Sequence, residues 1–334
     1  AECLGPSFYL GTPSIVRSPN TGALFATADL FDHGPSAECW PNFFVAHREP
    51  GWKWERNATL FKSVDNGTNW SFQGWVPKHY WSSLFSHDGA LYYMGVSNDK
   101  GGGVKLSQST DEGASWTGTI IRSDMRYTTG ATAVLFAHGR VWRALEGGPD
   151  RASMIFSAPV TQMLDPGSWR RTKPLPFNAT WIPKSFGPVV KPAQPWVEGN
   201  AVEGPDGQIY NLLRLESGWS TTHPVANKAI LLRVSSGAFE SLASDESGDA
   251  PALEFVSIVD MPGGSCKFTV RRHSPSGMCA SFSKRHFCAI LLYPEQVTLT
   301  LPAMHFLNRY FALTNNVTNV SACPSARNVL TLVT

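Results

Sequence analysis

The sequence predicts an all-β fold, a β-propeller, and three observations carry that expectation. A turn motif occurs twice: Ser109-Thr110-Asp111-Glu112-Gly113-Ala114-Ser115-Trp116 is a complete Asp-box (Ser-x-Asp-x-Gly-x-Ser/Thr-Trp), and residues 63–70 form an earlier copy with Asn69 in place of Ser or Thr. Hairpin glycines recur at positions 22, 89, 139, 207 and 277, three of them in Asp88-Gly89, His138-Gly139 and Asp206-Gly207 between β-rich runs. The composition, with 29 Gly, 24 Pro, 12 Trp and only 16% charged residues, suits short strands joined by tight turns rather than helices. Radial repetition of small sheets buries such strands without leaving long free edges.

The units follow one another in order. Each has an apolar run, a turn, a second apolar run and a more polar outer hairpin. The inner hairpins are predicted at 13–16 with 23–26, 81–85 with 90–95, 132–136 with 141–145, 199–202 with 209–215, and 267–270 followed by a turn through Pro275 to Gly277. Outer strands are predicted at 59–63, 104–109, 154–158, 229–234 and 328–333. Five blades are therefore visible in a single domain, 1–334. The Asp-boxes sit at outer-hairpin turns, and residues 157–169 read as a decayed third copy ending in Gly167-Ser168-Trp169.

The motif is a fastener. Gly113 supplies a turn conformation that residues with a Cβ avoid, Asp111 accepts hydrogen bonds from the turn's own amides, and Trp116 fills the gap between sheets. None of these residues is expected to do chemistry.

With 28 basic and 26 acidic residues there is no electrostatic case for nucleic acid or a membrane surface, and no run of 18 apolar residues occurs. The chain begins at Ala1 without a visible signal peptide and reads as mature or as a fragment. Six sequons (Asn57, Asn66, Asn69, Asn178, Asn316, Asn319) and six cysteines (Cys3, Cys39, Cys266, Cys279, Cys288, Cys323) predict a secreted, extracellular protein, with the cysteine pairing open. No cysteine has zinc-ligand spacing.

The Asp-boxes, together with Tyr9-Leu10-Gly11-Thr12-Pro13-Ser14-Ile15-Val16, resemble the sialidase-like propellers. Four further segments narrow the resemblance: Phe85-Ser86-His87-Asp88-Gly89-Ala90-Leu91-Tyr92, Gly139-Arg140-Val141-Trp142-Arg143-Ala144, Trp196-Val197-Glu198-Gly199-Asn200, and Met261-Pro262-Gly263-Gly264 with Lys267-Phe268-Thr269. In that order they look like the fungal L-rhamnose-α-1,4-D-glucuronate lyases, which trim gum arabic and arabinogalactan, and the related bacterial α-L-rhamnosidases. The resemblance runs from Tyr9 to Met278 and resumes at Tyr310. It implies a seven-bladed ring, a monomer acting on an oligosaccharide or polysaccharide, and a further blade after Thr334. Residues 279–309 have no counterpart and read as an insertion, since joining Met278 to Tyr310 continues the fifth hairpin. A sialidase is disfavoured, because its first-blade Arg-Ile-Pro element is matched here by Gly11-Thr12-Pro13. No Tyr–Glu nucleophile pair stands out either.

Elimination at a 4-linked glucuronate requires neutralising the carboxylate, removing the adjacent proton and expelling oxygen 4. Arginine suits the first task, and His or Tyr the second. No metal is required. The resemblance implies a catalytic His before the second blade and an Arg on the third, which map to His79 and Arg143, and Tyr127 is the proton-handling partner expected beside them. Substrate-binding candidates on inner strands or their loops are Tyr80, Arg140, Glu198, Asn200, Arg214, Lys267, Arg271 and His33. Each has a plainer alternative. His79 can cap a loop carbonyl, and Arg140 and Arg143, read as lying on related faces, can form an interblade ion pair. Glu198 and Asn200 can hold a structural cation such as calcium, and Lys267 and Arg271 can be solvated. The competing functions are an exo-glycoside hydrolase and a non-catalytic lectin, in which Trp75, Trp81, Trp181, Trp196 or Trp219 stack on sugars.

Overall fold

A computed structural model describes residues 8–32, 57–98, 102–187, 195–216, 224–225, 228–235, 251–261, 268–273, 278–283, 288–290 and 310–311. The fold is all-β and of propeller type: the described residues form five consecutive sheets, built largely from sequential antiparallel strands. The chain divides into two compact units, Ala1–Asp124 with Asn319–Thr334, and Met125–Thr318. His33, Lys267 and the outer strand expected at 328–333 lie outside the described residues.

The first unit holds two sheets. One runs β1 (Phe8–Arg17), β2 (Leu24–Asp32), β3 (Ala58–Ser63), β4 (Ser71–Val76). The other runs β5 (His79–His87), β6 (Ala90–Ser97), β7 (Val104–Ser109), β8 (Thr117–Arg122). Phe25, Leu60, Val76, Leu84, Leu91 and Tyr93 form the core between them, with Trp116 packed against it. Each such large side chain taken from water contributes about 1.5–3 kcal/mol.

Both Asp-boxes close as the motif requires. In the second, the Asp111 carboxylate accepts from Ser115 N (2.9 Å), Ser115 Oγ (2.5 Å) and Ser109 Oγ (2.7 Å). In the first, Asp65 accepts from Asn69 N (2.8 Å) and Asn69 Nδ2 (2.7 Å). Asn69 thus donates where a hydroxyl would, which is why the departure is tolerated. Gly113 has φ +87 and lies over the core, where a Cβ would come within 2.5 Å of Leu60. Residues 163–169 close differently: Asp165 accepts from Gly167 N in a short 3-10 turn, and the Trp169 indole donates to Met163 O.

In the second unit the inner strand of the first sheet is split. Both β9 (Tyr127–Thr128) and β10 (Leu135–Ala137) pair with β11 (Arg140–Gly147), followed by β12 (Ala152–Pro159) and β13 (Arg170–Arg171). The next sheet is β14 (Trp196–Glu203), β15 (Ile209–Leu215), β16 (Lys228–Val234), β17 (Leu253–Asp260). The last contains β18 (Phe268–His273), β19 (Met278–Ser283) and β20 (Cys288–Ile290), with β21 (Tyr310–Phe311) beside β19 in parallel. Within the stretch 279–309, residues 279–283 and 288–290 are therefore strand residues of this sheet. Trp142, Ile155, Trp196, Leu213, Ile230 and Leu232 lie in one core, and Val202, Leu212, Leu231, Phe268 and Val270 in another.

Candidate functional site

Three inner strands share one irregularity. The ladder shifts between Gly11 and Ser14 in β1, between Tyr80 and Ser83 in β5, and between Val197 and Asn200 in β14. Each bulge contains a non-glycine residue in the left-handed region: Thr12 (φ 53), Trp81 (φ 50) and Glu198 (φ 61). Side chains with a Cβ resist that conformation, and such residues concentrate at functional sites.

A bulge also frees backbone amides that must find partners. At Glu198 the partner comes from β11: Glu146 Oε1 accepts Gly199 N at 3.0 Å, and the Glu198 amide donates to the same carboxyl. In the other unit, Asp29 Oδ2 on β2 accepts Trp81 N at 2.9 Å. Glu146 and Asp29 each stand seven residues after a hairpin glycine, Gly139 and Gly22. The approach at Gly199 is close: a Cβ there would meet Asn211 Oδ1 at 2.4 Å and Ala144 Cβ at 3.0 Å.

The Glu198 carboxylate then accepts from Arg214 Nη1 at 2.9 Å, while Arg214 Nη2 donates to Glu216 Oε2 at 2.9 Å. The Arg214 and Glu216 side chains are 4% and 1% exposed and that of Glu198 is 10% exposed, so Glu198 is the member closest to solvent. Glu146 is fully buried, and desolvation pushes its carboxyl up to about 7 against the two amide bonds, with the Glu198 charge adding to the rise. Half-buried Arg151 has its guanidinium pKa lowered by desolvation, while the Glu146 and Glu198 charges act to raise it. The cluster sets a carboxylate paired with Arg214 beside a carboxyl that titrates near neutrality, an arrangement suited to acid–base chemistry.

The other expected residues take more structural places. Asn200 Oδ1 accepts Val270 N at 2.9 Å, and its Nδ2 reaches Phe268 O at 3.5 Å, stitching β14 to β18. Ser14 does the same between β1 and β5, accepting Leu84 N at 2.8 Å. Arg143 is fully buried and fills the gap between β9 and β10, donating to Thr132 O, Ala133 O (3.3 Å) and Gly130 O (2.6 Å). Arg140 is half-buried over Trp142 and donates through Nε to Ser157 Oγ at 2.8 Å. The shared-face expectation for the two arginines fails, because positions three apart on a strand point to opposite sides. Tyr127 is buried against Phe156, and its hydroxyl accepts from Arg171 at 2.6 Å.

His79 is fully buried against Tyr93, with Nδ1 3.0 Å from Ser82 Oγ and Nε2 2.7 Å from Ser107 Oγ. Ser82 Oγ donates to Tyr80 O at 3.2 Å, which assigns the ring proton to Nδ1 and makes Nε2 the acceptor for Ser107. Burial, aided by the Lys105 charge, holds its pKa well below 6.5, so the ring is neutral. Tyr80 packs its ring on Trp81 at 4.4 Å. Arg271, in β18, is half-buried, and desolvation lowers its pKa.

Among the described residues no group of three or more His, Cys, Asp or Glu side chains is placed to hold a metal ion. Glu198 and Glu216 face Arg214 and Asn200 serves β18, so these residues do not fit the structural-cation alternative.

Composition pointed to no role for Glu146, Glu216 or Arg151. The available signal was positional: the seventh residue after the hairpin glycine is Asp29, Val96, Glu146 or Arg214 in successive sheets, three of them charged.

No known protein family and no curated protein matches the chain. It is similar to a solved protein of unknown function from Dyadobacter fermentans (TM-score 0.49, 14% identity, 83% of this chain and 75% of that chain covered). It is also similar to the α-L-arabinanase of Penicillium chrysogenum complexed with arabinobiose (TM-score 0.46, 14% identity, 85% and 77% covered). A third is the α-L-arabinofuranosidase of Fusarium graminearum with arabinobiose (TM-score 0.48, 10% identity, 84% and 77% covered).

Proposed function

We propose that this chain is a secreted, monomeric carbohydrate-active enzyme, a lyase that releases terminal L-rhamnose from rhamnosyl-α-1,4-glucuronate caps of arabinogalactan-type glycans. Substrate and reaction come from the four ordered segments that resemble the rhamnose–glucuronate lyases. The structural observation in support is Glu198, held strained in a bulge between Arg214 and Glu146. Secretion is supported by the sequons, of which Asn66, Asn69 and Asn178 are exposed.

Arg214 supplies permanent positive charge to offset charge developing on the glucuronate carboxylate. Glu198 takes the proton from carbon 5, its electrons form the carbon 4–carbon 5 double bond, and the bond from carbon 4 to oxygen breaks. In the gluco configuration that proton and oxygen 4 lie on the same face, so one carboxyl can remove the proton and return it to the departing rhamnose oxygen. Arg143 and His79, which the resemblance assigns to this chemistry, are enclosed here and support the loop 129–134 and the β5–β7 sheet.

One observation favours a second reading. Arg214 already faces two carboxylates, and Glu198 beside a carboxyl near 7 is also the pairing that a glycoside hydrolase uses. Substrate deuterated at carbon 5 of the glucuronate separates the two. Elimination loses the deuteron and leaves an unsaturated uronate, whereas hydrolysis keeps both the deuteron and a saturated product, as read by mass spectrometry.

A further inference from the structure

The fold demands a left-handed residue at each inner-strand bulge, and glycine or asparagine would supply it cheaply. At Trp81 (φ 50) a large aromatic stands there instead, in a conformation that a side chain with a Cβ resists. It is held in place deliberately. Asp29, 1% exposed, accepts the Trp81 amide at 2.9 Å, and the Tyr80 ring lies 4.4 Å away at 46°. The side chain is nevertheless half-buried rather than consumed by the core.

The other tryptophans named above are accounted for differently. Trp196 is fully buried and donates to Arg151 O; Trp181 stacks on Phe255 at 4.9 Å and lies against Trp196; Trp75 packs edge-on to Phe72. Trp219 lies outside the described residues. Trp81 alone of those described combines backbone strain, a buried carboxylate anchor and an incompletely covered ring.

We infer that Trp81 is a sugar-stacking platform, its indole taking the apolar face of a pyranose ring, with a 6-deoxyhexose such as L-rhamnose as the favoured class because its methyl group adds apolar contact. A rigid aromatic fixed by its own backbone provides contact area with little ordering cost on binding. This inference rests on the carbohydrate reading proposed above.

The test titrates the full chain with L-rhamnose by calorimetry and records thermal melting for wild type, Trp81→Gly and Trp81→Phe. Glycine tolerates the bulge, so Trp81→Gly is expected to melt at or above the wild-type temperature while rhamnose affinity falls by about tenfold or more. Trp81→Phe, which keeps an aromatic face, is expected to stay within about threefold of wild type. Wild-type affinity in Trp81→Gly overturns the inference, whether or not melting changes. If Trp81→Gly loses both stability and affinity, retained affinity in Trp81→Phe supports the platform and its loss overturns it. If wild type neither binds L-rhamnose nor releases it from a capped glycan, the carbohydrate reading fails and this inference with it. Rhamnose release with no effect of Trp81→Gly on affinity leaves that reading standing and removes the platform alone.

Discussion

The carboxyl of Glu146 accepts the backbone N–H of Gly199 at 3.0 Å and so fixes, from the neighbouring sheet, the left-handed turn that presents Glu198. Burial raises this carboxyl from 4.5 to about 7, which means the folded state holds its proton more tightly than the unfolded chain does. Stability is therefore lost as pH rises from about 4.5 to about 7, by about 3 kcal/mol in total, and levels off above that. Glu146→Gln keeps the acceptor without the charge. Its melting temperature is expected to exceed wild type at pH 8 and to lack that slope between pH 5 and 7; an unchanged slope would place the titration elsewhere.

Gly199 has no room for a side chain, with Asn211 Oδ1 2.4 Å and Ala144 Cβ 3.0 Å from where a Cβ would stand. Gly199→Ala is expected to cost about 1–3 kcal/mol in denaturant unfolding, as overpacking of a close contact does. Gly139→Ala meets no such neighbours but carries φ +68, so its penalty is one of backbone strain alone.

The Asp-boxes predict an acid-side effect. Hydrogen bonds from Ser115 and Ser109 lower Asp111 from 3.8 to about 2, and those from Asn69 and Ser63 do the same for Asp65. The stability they contribute is present above about pH 4 and is lost as pH falls through about 2. Asp111→Asn should show a shallower fall in melting temperature across that window. Asn69→Ser should leave melting nearly unchanged, since a hydroxyl restores the donor, whereas Asn69→Ala should lower it.

His79 is neutral and fully buried between two serine hydroxyls. Its folded pKa lies well below 6.5, so the unfolded chain takes up a proton first and stability falls as pH drops below about 6.5. His79→Gln is expected to flatten this dependence between pH 6.5 and 5. A signal assigned to His79 by its loss in His79→Gln and titrating near 6.5 in the folded protein, followed by NMR, would contradict the enclosure.

Much of the fold was legible because its signals are local. Turn glycines and Asp-boxes recur in the chain, and each predicted inner hairpin whose residues are described is present, except that of the strand expected at 132–136 only Leu135 and Phe136 are strand residues. The site was less legible because its defining contacts are between sheets. Glu198, Asn200 and Arg214 stand out by residue type and strand position, but what they do depends on Glu146, Glu216 and Val270 across other strands or loops. Arg143 shows the same limit from the other side. A charged residue on an inner-facing strand looks like a substrate group, yet the split between β9 and β10 leaves carbonyls that need its guanidinium. Periodicity does not reveal that split.

Elimination by Glu198 is tested most directly by a time course on an arabinogalactan oligosaccharide carrying rhamnosyl-glucuronate caps, with free L-rhamnose and the ultraviolet absorbance of unsaturated uronate followed in the same sample. Both are expected to rise in equal molar amounts with wild type, and Glu198→Gln is expected to suppress both together. Rhamnose released without the absorbance, or released undiminished by Glu198→Gln, would contradict elimination by Glu198.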